Sequence, residues 1–235
     1  MEKEREGPRR QYISFGFYRV LPEWRRLPLA ERQEHRCELA AALRQWCQPG
    51  KTRVLPYSMV GMTGGADFML WRISYSLEAL QDMASDVRRT RLGGYLETPC
   101  SYLGMTLRSQ FAIDERENGS PLRSTVRPGE HRFLFVFPLV RTRSWYLLPF
   151  EDRQRCVNEM VKISQEFPHT NVHVTYSFGL DSQDFVIAIE TDHPDALVER
   201  TMRLREAESS AFVQSDTPVF TCIQRSLEDT LERLG

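Results

Sequence analysis

The five histidines of this chain are its first candidates for acid–base or metal chemistry, and their spacing matches no known metal-binding motif. His169 and His173 stand four residues apart, which on a helix would bring two imidazoles to one face. Pro168 and the alternating residues after it indicate a strand instead, on which both side chains would point to one side. The pattern favours surface or half-buried histidines over a shared metal site.

Three other chemistries are disfavoured by the sequence. The Gly61 to Gly65 segment lacks the Lys-Ser/Thr ending of a phosphate-binding loop and precedes a predicted strand, so it indicates a hairpin turn. The serines form no nucleophile-elbow motif. The 5 cysteines are scattered without a Cys-x-x-Cys pair, which predicts reduced structural thiols and no cysteine-based zinc site.

A predicted amphipathic helix at Pro149 to Phe167 carries the remaining candidate. Its apolar face is formed by Cys156, Val157, Met160, Ile163 and Phe167. Taken alone, Met160 is interpreted as a core methionine, because methionine commonly fills irregular gaps between packed side chains.

The segment from Tyr176 to Asp192 is predicted to be a β-hairpin that supports this helix. An alternating run ends at Phe178, turn residues follow, and a β-branched run begins at Phe185. A similar pattern leads from Tyr57 to Trp71, about half the chain length earlier. The repeat indicates that the chain contains two copies of one unit.

Each copy is predicted to contain a strand, a helix, two strands, a helix and a final strand. This order is the split βαβ arrangement of ferredoxin-like folds, so the predicted fold class is α+β, with two tandem ferredoxin-like βαββαβ units forming a dimeric α+β barrel. The predicted domains are residues 1–115, a polar linker at 116–130 and residues 131–235. Because each sheet leaves one apolar face bare, the two sheets must pack together or close into a barrel, and a ligand cavity is expected between sheet and helices.

Composition limits the partners of the chain. Its 235 residues are 41% hydrophobic and 27% charged, and the net charge of −1 gives no reason to expect nucleic acid or an anionic membrane. The first residues contain no apolar segment, and no run approaches the length of a membrane span. A cytoplasmic protein is expected.

Several segments together resemble one known family. The second half contributes Trp145 to Arg153, Tyr176 to Asp181, Asp184-Phe185, Leu204 to Glu208 and Asp216 to Pro218. The first half contributes Phe15 to Tyr18, Pro22 to Trp24, Asp67 to Arg72 and Tyr102 to Thr106. These segments resemble the chlorite dismutase-like superfamily, which includes coproheme decarboxylases and heme-dependent peroxidase-like proteins. The resemblance implies a ring-shaped homo-oligomer, often a homopentamer, with b-type heme or coproheme bound in the C-terminal half.

The resemblance also implies roles for individual residues around that heme. Met160 stands where the family places its proximal histidine, and Glu208 matches the acidic residue that supports this histidine. A methionine has no N–H to donate to Glu208 and is a weak donor to ferric iron, so it is typical of electron transfer more than of peroxidase chemistry. Trp145 and Tyr146 belong to the motif that precedes the proximal helix and are expected in the pocket.

Two strand residues differ from the coproheme decarboxylases. Phe137 stands at the place of a tyrosine that carries radical chemistry there, and a phenylalanine cannot form a phenoxyl radical. Arg141 stands at the place of a lysine; it is interpreted either as a clamp for a propionate or as a solvated surface arginine.

The distal position remains open between two neighbouring residues. Counting forward from Met160 gives His173, whereas counting back from Gly179 gives Val172. A histidine there could act as acid and base on peroxide or ligate the iron, whereas a valine would leave an inert apolar pocket. Since neither residue is an arginine, chlorite decomposition is disfavoured.

Three functions are therefore considered. The first is a heme-binding, peroxidase-type oxidoreductase with an altered axial position. The second is a catalytically degenerate relative that acts as heme carrier, sensor or structural subunit, and the third is a barrel that binds a different small apolar ligand.

Overall fold

A computed structural model describes residues 10–47, 52–62, 65–111 and 125–235. The sequence predicts that a helix from Pro28 to about Cys47 ends at Gln48-Pro49-Gly50, which lies outside these ranges, as does most of the linker predicted at 116–130. None of the described helices combines the length and the apolar character that a bilayer span requires.

The N-terminal half follows the predicted order of elements, with the short, unpredicted helix α1 added after the first strand. Its elements are β1 (Tyr12–Val20), α1 (Pro22–Arg25), α2 (Leu29–Trp46), β2 (Thr52–Ser58), β3 (Phe68–Ser74), α3 (Leu77–Arg89) and β4 (Leu96–Met105). Ser76, whose spacing to the following apolar residues predicts an N-cap, caps α3: its hydroxyl accepts a hydrogen bond of 3.1 Å from the backbone N–H of Ala79. The β2–β3 turn contains Gly61 and Gly65 at φ values of 75° and 99°, which glycine adopts without strain.

The C-terminal half repeats this order with short additions. Its elements are β5 (Phe133–Arg141), α4 (Arg143–Leu147), α5 (Phe150–Gln165), β6 (Thr170–Tyr176), β7 (Phe185–Thr191), α6 (Pro194–Glu206), β8 (Val213–Ser215), β9 (Phe220–Gln224) and α7 (Leu227–Glu232). The predicted Tyr176 to Asp192 hairpin is confirmed, with β6 and β7 paired in antiparallel register from Thr170↔Thr191 to Tyr176↔Phe185. The short α4 and β8 were not predicted from the sequence.

The strands of the two halves close into one barrel. The orders are β4-β1-β3-β2 in the first half and β9-β5-β7-β6 in the second, and both are the ferredoxin-like order. Tyr57↔Gln224 and Ser58↔Ile223 join β2 to β9, while Met105↔Tyr176 joins β4 to β6. The expectation that the bare sheet faces are buried by closing a barrel is thus confirmed.

Alternation along the strands separates an inner core from an outer layer. On β1, Ile13, Phe15 and Phe17 belong to the core inside the barrel, whereas Tyr18 belongs to the layer between the sheet and the N-terminal helices. Leu39 and Leu43 of α2 close that outer layer. The corresponding layer of the C-terminal half lies between its sheet and helices α5 and α6.

Candidate functional site

Helix α5 presents Met160 toward the C-terminal sheet. Pro149 precedes the helix. The carboxylates of Glu151 and Asp152 in its first turn stabilise the helix by their interaction with the positive end of its dipole. Cys156 and Val157 are buried against Trp145, and Met160 is half-buried beside them. The predicted inward face of the helix is therefore present.

Arg141, the last residue of β5, reaches the sulfur of Met160. Its Nη2 lies 3.5 Å from Met160 Sδ, and its Nη1 donates a hydrogen bond of 2.8 Å to the carbonyl of Ser209. The guanidinium lies 4.6 Å from the ring centroid of Trp145. Arg141 is only 7% exposed, so the alternative of a solvated surface arginine is wrong. Burial lowers the pKa of this guanidinium.

Asp184 fixes the backbone of Arg141 and the side chain of Tyr146. Its Oδ2 accepts hydrogen bonds of 2.7 Å from the Arg141 N–H and 2.7 Å from the Tyr146 hydroxyl. Burial and then this contact raise the pKa of Tyr146, so the phenol stays protonated. Trp145 is buried against Phe212. The structure therefore brings Arg141, Trp145, Tyr146 and Met160 together.

Glu208 does not support Met160. Its Oε1 lies 3.0 Å from Arg155 Nη2, and Arg155 also donates to Asp152 at 2.6 Å. The Glu208 side chain is 52% exposed, and its backbone N–H donates to Glu159. The carboxylate that the resemblance assigns to a proximal histidine thus pairs with an arginine at the surface.

Arg200 also lies close to Met160, although no sequence motif predicts a role for it. It is the buried residue at the centre of α6, 6% exposed, and its Nη2 donates a hydrogen bond of 3.0 Å to Ser164 Oγ. Ser164 donates in turn to the Met160 carbonyl at 2.8 Å. Burial lowers the pKa of Arg200 to about 10, so the side chain is still a cation at neutral pH. The available signal was its position between Leu197 and Leu204 on the inner stripe of the helix.

Neither buried guanidinium is paired directly with a carboxylate in the ranges that the structure describes, although Asp184 lies close enough to Arg141 to stabilise its positive charge. Arg141 and Arg200 form no ion pair with a described carboxylate within 4 Å, and Arg200 Nε has no hydrogen-bond partner there. A buried cation without a partner is costly. Two such cations therefore approach the Met160–Ser164 turn of α5, where an anionic group would neutralise them.

Val172 and His173 lie on opposite faces of β6. His173 points into the barrel, where its Nε2 is 3.0 Å from Glu190 Oε2 and its ring is 5.4 Å from that of Trp71. Tyr57 also reaches Glu190, at 3.4 Å. The sheet separates His173 from Met160, so its interpretation as a distal group is corrected. Val172 is the residue of this pair that faces the outer layer.

The outer face of the C-terminal sheet is an incompletely covered apolar wall. Phe137, Val174 and Ile187 are neighbours across β5, β7 and β6, and all three are only half-buried. In the N-terminal half, the outer residues Phe68 and Leu70 of β3 are fully buried beneath the helices. The C-terminal layer therefore leaves half-buried apolar side chains on the outer face of this sheet.

The arrangement combines this wall with two cations and one thioether. The chemistry of the three features would suit an apolar ring with acidic groups, since the wall is apolar and the guanidiniums pair with acids. The Met160 sulfur would be a soft, neutral donor if such a ring carried a metal. Phe137 and Val172 can neither donate nor accept a proton, so the wall itself supplies no acid–base group.

A family model and two curated relatives point to the same protein family. Residues 32–225 match the family model described as chlorite dismutase. The chain is 27% identical over 229 residues to a coproheme decarboxylase of Mycolicibacterium smegmatis, covering 95% of this chain and 94% of that protein. It is 25% identical over 185 residues to a chlorite dismutase of Ideonella dechloratans, covering 77% of this chain and 64% of that protein.

Solved structures show the same fold. A variant of the chlorite dismutase from Candidatus Nitrospira defluvii superposes with a TM-score of 0.87 at 21% identity, over 95% of this chain and 94% of that one. The structure of that enzyme in complex with imidazole gives a TM-score of 0.86 at 21% identity, over 95% and 94% of the two chains.

Proposed function

The chain belongs to the chlorite dismutase family, and on that premise we propose that it binds heme between the outer face of the C-terminal sheet and helices α5 and α6. The observation that carries the proposal is the pairing of a half-buried apolar wall with two buried guanidiniums, Arg141 and Arg200, that form no direct ion pair with a described carboxylate. The macrocycle packs against the apolar wall, and its carboxylates pair with the guanidiniums. Val172 and Phe137 form apolar parts of this pocket.

Met160 would be the residue of α5 that faces the metal of a bound heme in this proposal. Heme, when bound, supplies an iron centre that exchanges electrons and binds small oxidants. A thioether carries no proton to share with a carboxylate, and Arg141 already donates to its sulfur. Glu208, paired with Arg155, gives the axial residue no support. The chain therefore supplies a weak axial ligand and none of the electron push that favours O–O bond cleavage.

This geometry favours a heme-binding carrier over a turnover enzyme. A carrier has to hold and release the macrocycle, and weak axial ligation is compatible with release. The second candidate, a peroxidase-type oxidoreductase, is supported by family membership and by the relatives named above. Coproheme decarboxylation is disfavoured, because Phe137 has no hydroxyl from which a radical can form.

We also propose that the protein self-associates into a ring, with five subunits as in many members of the family. Exposed apolar side chains support an association surface: Leu147 is 84% exposed on α4, and Met202 is 62% exposed on α6. Sedimentation equilibrium of the purified chain tests this, with the mass of five chains expected and a monomer contradicting it.

The experiment that tests heme binding is an absorption titration with ferric heme and with ferric coproheme, at constant protein concentration. The proposal predicts a shifted Soret band that saturates at one equivalent for at least one of the two. Binding of neither, or a linear rise without saturation, rejects the proposal. Added hydrogen peroxide and a reducing dye then separate the two candidates: steady turnover supports the oxidoreductase and its lack supports the carrier.

A further inference from the structure

A third buried arginine lies in the half of the chain that the proposed heme site does not use. Arg72 is on the outer face of β3, beneath the N-terminal helices, and is 6% exposed. Its neighbours on the sheet are Ser14 of β1 and Val54 of β2. The side chain therefore lies within the layer that Leu70 and the helices fill with apolar contacts.

Most of the hydrogen-bonding capacity of Arg72 is unused within the described ranges. Nη2 donates a hydrogen bond of 2.8 Å to Ser14 Oγ. Nε and Nη1 are buried and have no partner there, and no described carboxylate forms an ion pair with the group. Burying a guanidinium with two N–H sites unpaired and no counter-charge is unfavourable. A bound anion would remove both costs together.

Gly16 opens space for a second donor beside this arginine. A Cβ at position 16 would lie 3.0 Å from the Tyr18 hydroxyl oxygen and 3.1 Å from Arg72 Nη2. Those distances are too short for most side chains, so glycine lets the phenol and the guanidinium converge above the sheet. Tyr18 is 3% exposed and Ser14 is 7% exposed. The region in which the phenol and the guanidinium meet is therefore enclosed by protein.

We propose that Arg72, Tyr18 and Ser14 form a binding site for one small inorganic anion of halide size. The positive charge and the O–H and N–H donors select an anion, since nothing on the described side chains offers a compensating negative charge. The enclosure selects a small one, because a phosphate ester or an organic acid would need an opening for the rest of its molecule. The site belongs to the N-terminal half and is independent of heme.

Two measurements on the full-length protein test this site. Crystals grown in sodium bromide should show an anomalous bromide peak at hydrogen-bonding distance from the Arg72 guanidinium. In solution, the Tm should rise by about 3 °C for each tenfold increase in chloride once the site is saturated, relative to matched gluconate solutions.

Substitutions separate this effect from general salt stabilisation. Arg72→Met should abolish both the bromide peak and the chloride-dependent part of the Tm. Arg89→Met, which removes an arginine that is 76% exposed on α3, should retain both. Should Arg72→Met fail to fold, Ser14→Ala provides the second variant and should weaken the chloride dependence. No bromide peak at Arg72 in well-ordered crystals, or an equal chloride dependence in wild type and variant, overturns the proposal.

Discussion

Arg141 donates to the sulfur of Met160 across 3.5 Å, from the end of β5 to the middle of α5. A cation therefore occupies one lone pair of the thioether that would face the metal in the proposed function. The same guanidinium is held by the Ser209 carbonyl and by the Trp145 ring, so it cannot move away without losing those contacts. This contact is the physical reason to expect weak ligation of a bound iron.

Met160→His should strengthen axial ligation and raise peroxidase turnover with heme by about tenfold or more, because an imidazole is a better ligand than a thioether. The gain should be larger in Met160→His combined with Arg155→Gln, since Glu208 is then free to accept the imidazole N–H. Stopped-flow oxidation of a dye by peroxide measures both. The control is Met62→His, a methionine that is 50% exposed on the β2–β3 turn of the other half. Equal rates in the Met160→His and Met62→His proteins would remove Met160 from the site.

Arg200→Met should stabilise the ligand-free protein while weakening ligand binding. Replacing an uncompensated buried charge by an apolar side chain is expected to raise the free energy of unfolding by about 1–3 kcal/mol. The affinity for coproheme should fall about tenfold, because one carboxylate partner is lost. Urea denaturation and absorption titration measure the two effects.

Arg203→Met on the same helix is the matched control for Arg200. Arg203 is 52% exposed and pairs with Glu206, so its removal should change the free energy of unfolding by no more than about 1 kcal/mol. If Arg200→Met and Arg203→Met gave the same stability and the same affinity, the buried cation would have no special role.

His173→Ala should damage the barrel and leave the ligand spectrum unchanged. The substitution leaves Glu190, which has no exposed surface, without its imidazole partner, and this is expected to cost about 3 kcal/mol of unfolding free energy. Val172→His places an imidazole on the outer face instead and should shift the Soret band of the loaded protein. A shifted band in His173→Ala, with none in Val172→His, would reverse the assignment of the two faces.

The architecture was predictable for two reasons. Each element is specified by neighbouring residues, and the same order of elements occurs in both halves of the chain. Strand alternation in Tyr12–Val20, the Ser76 cap and the repeated hairpin patterns each specify their element from neighbouring residues, and two bare sheet faces require closure. The additions α4 and β8 escaped prediction, because segments of five and three residues carry too little periodicity to be recognised.

The site was less predictable, because its contacts depend on register and on distant segments. Val172 and His173 differ by one position, and a one-residue change exchanges the faces of a strand. The pairing of Glu208 with Arg155 joins residues from different elements, and so does the burial of Arg200 against Ser164. The sequence signal for the burial of Arg200 was the position of a charged residue on the inner stripe of helix α6.

The position of iron in crystals of the protein grown with heme or coproheme, measured by anomalous diffraction at the iron edge, tests the proposed heme site. Heme bound as proposed gives a single peak between the outer face of β5–β7–β6 and helix α5, beside Met160 and on the same side of the sheet as Val172. A peak inside the barrel near His173, or no ordered iron in crystals of a protein that has taken up one equivalent of heme, would contradict it.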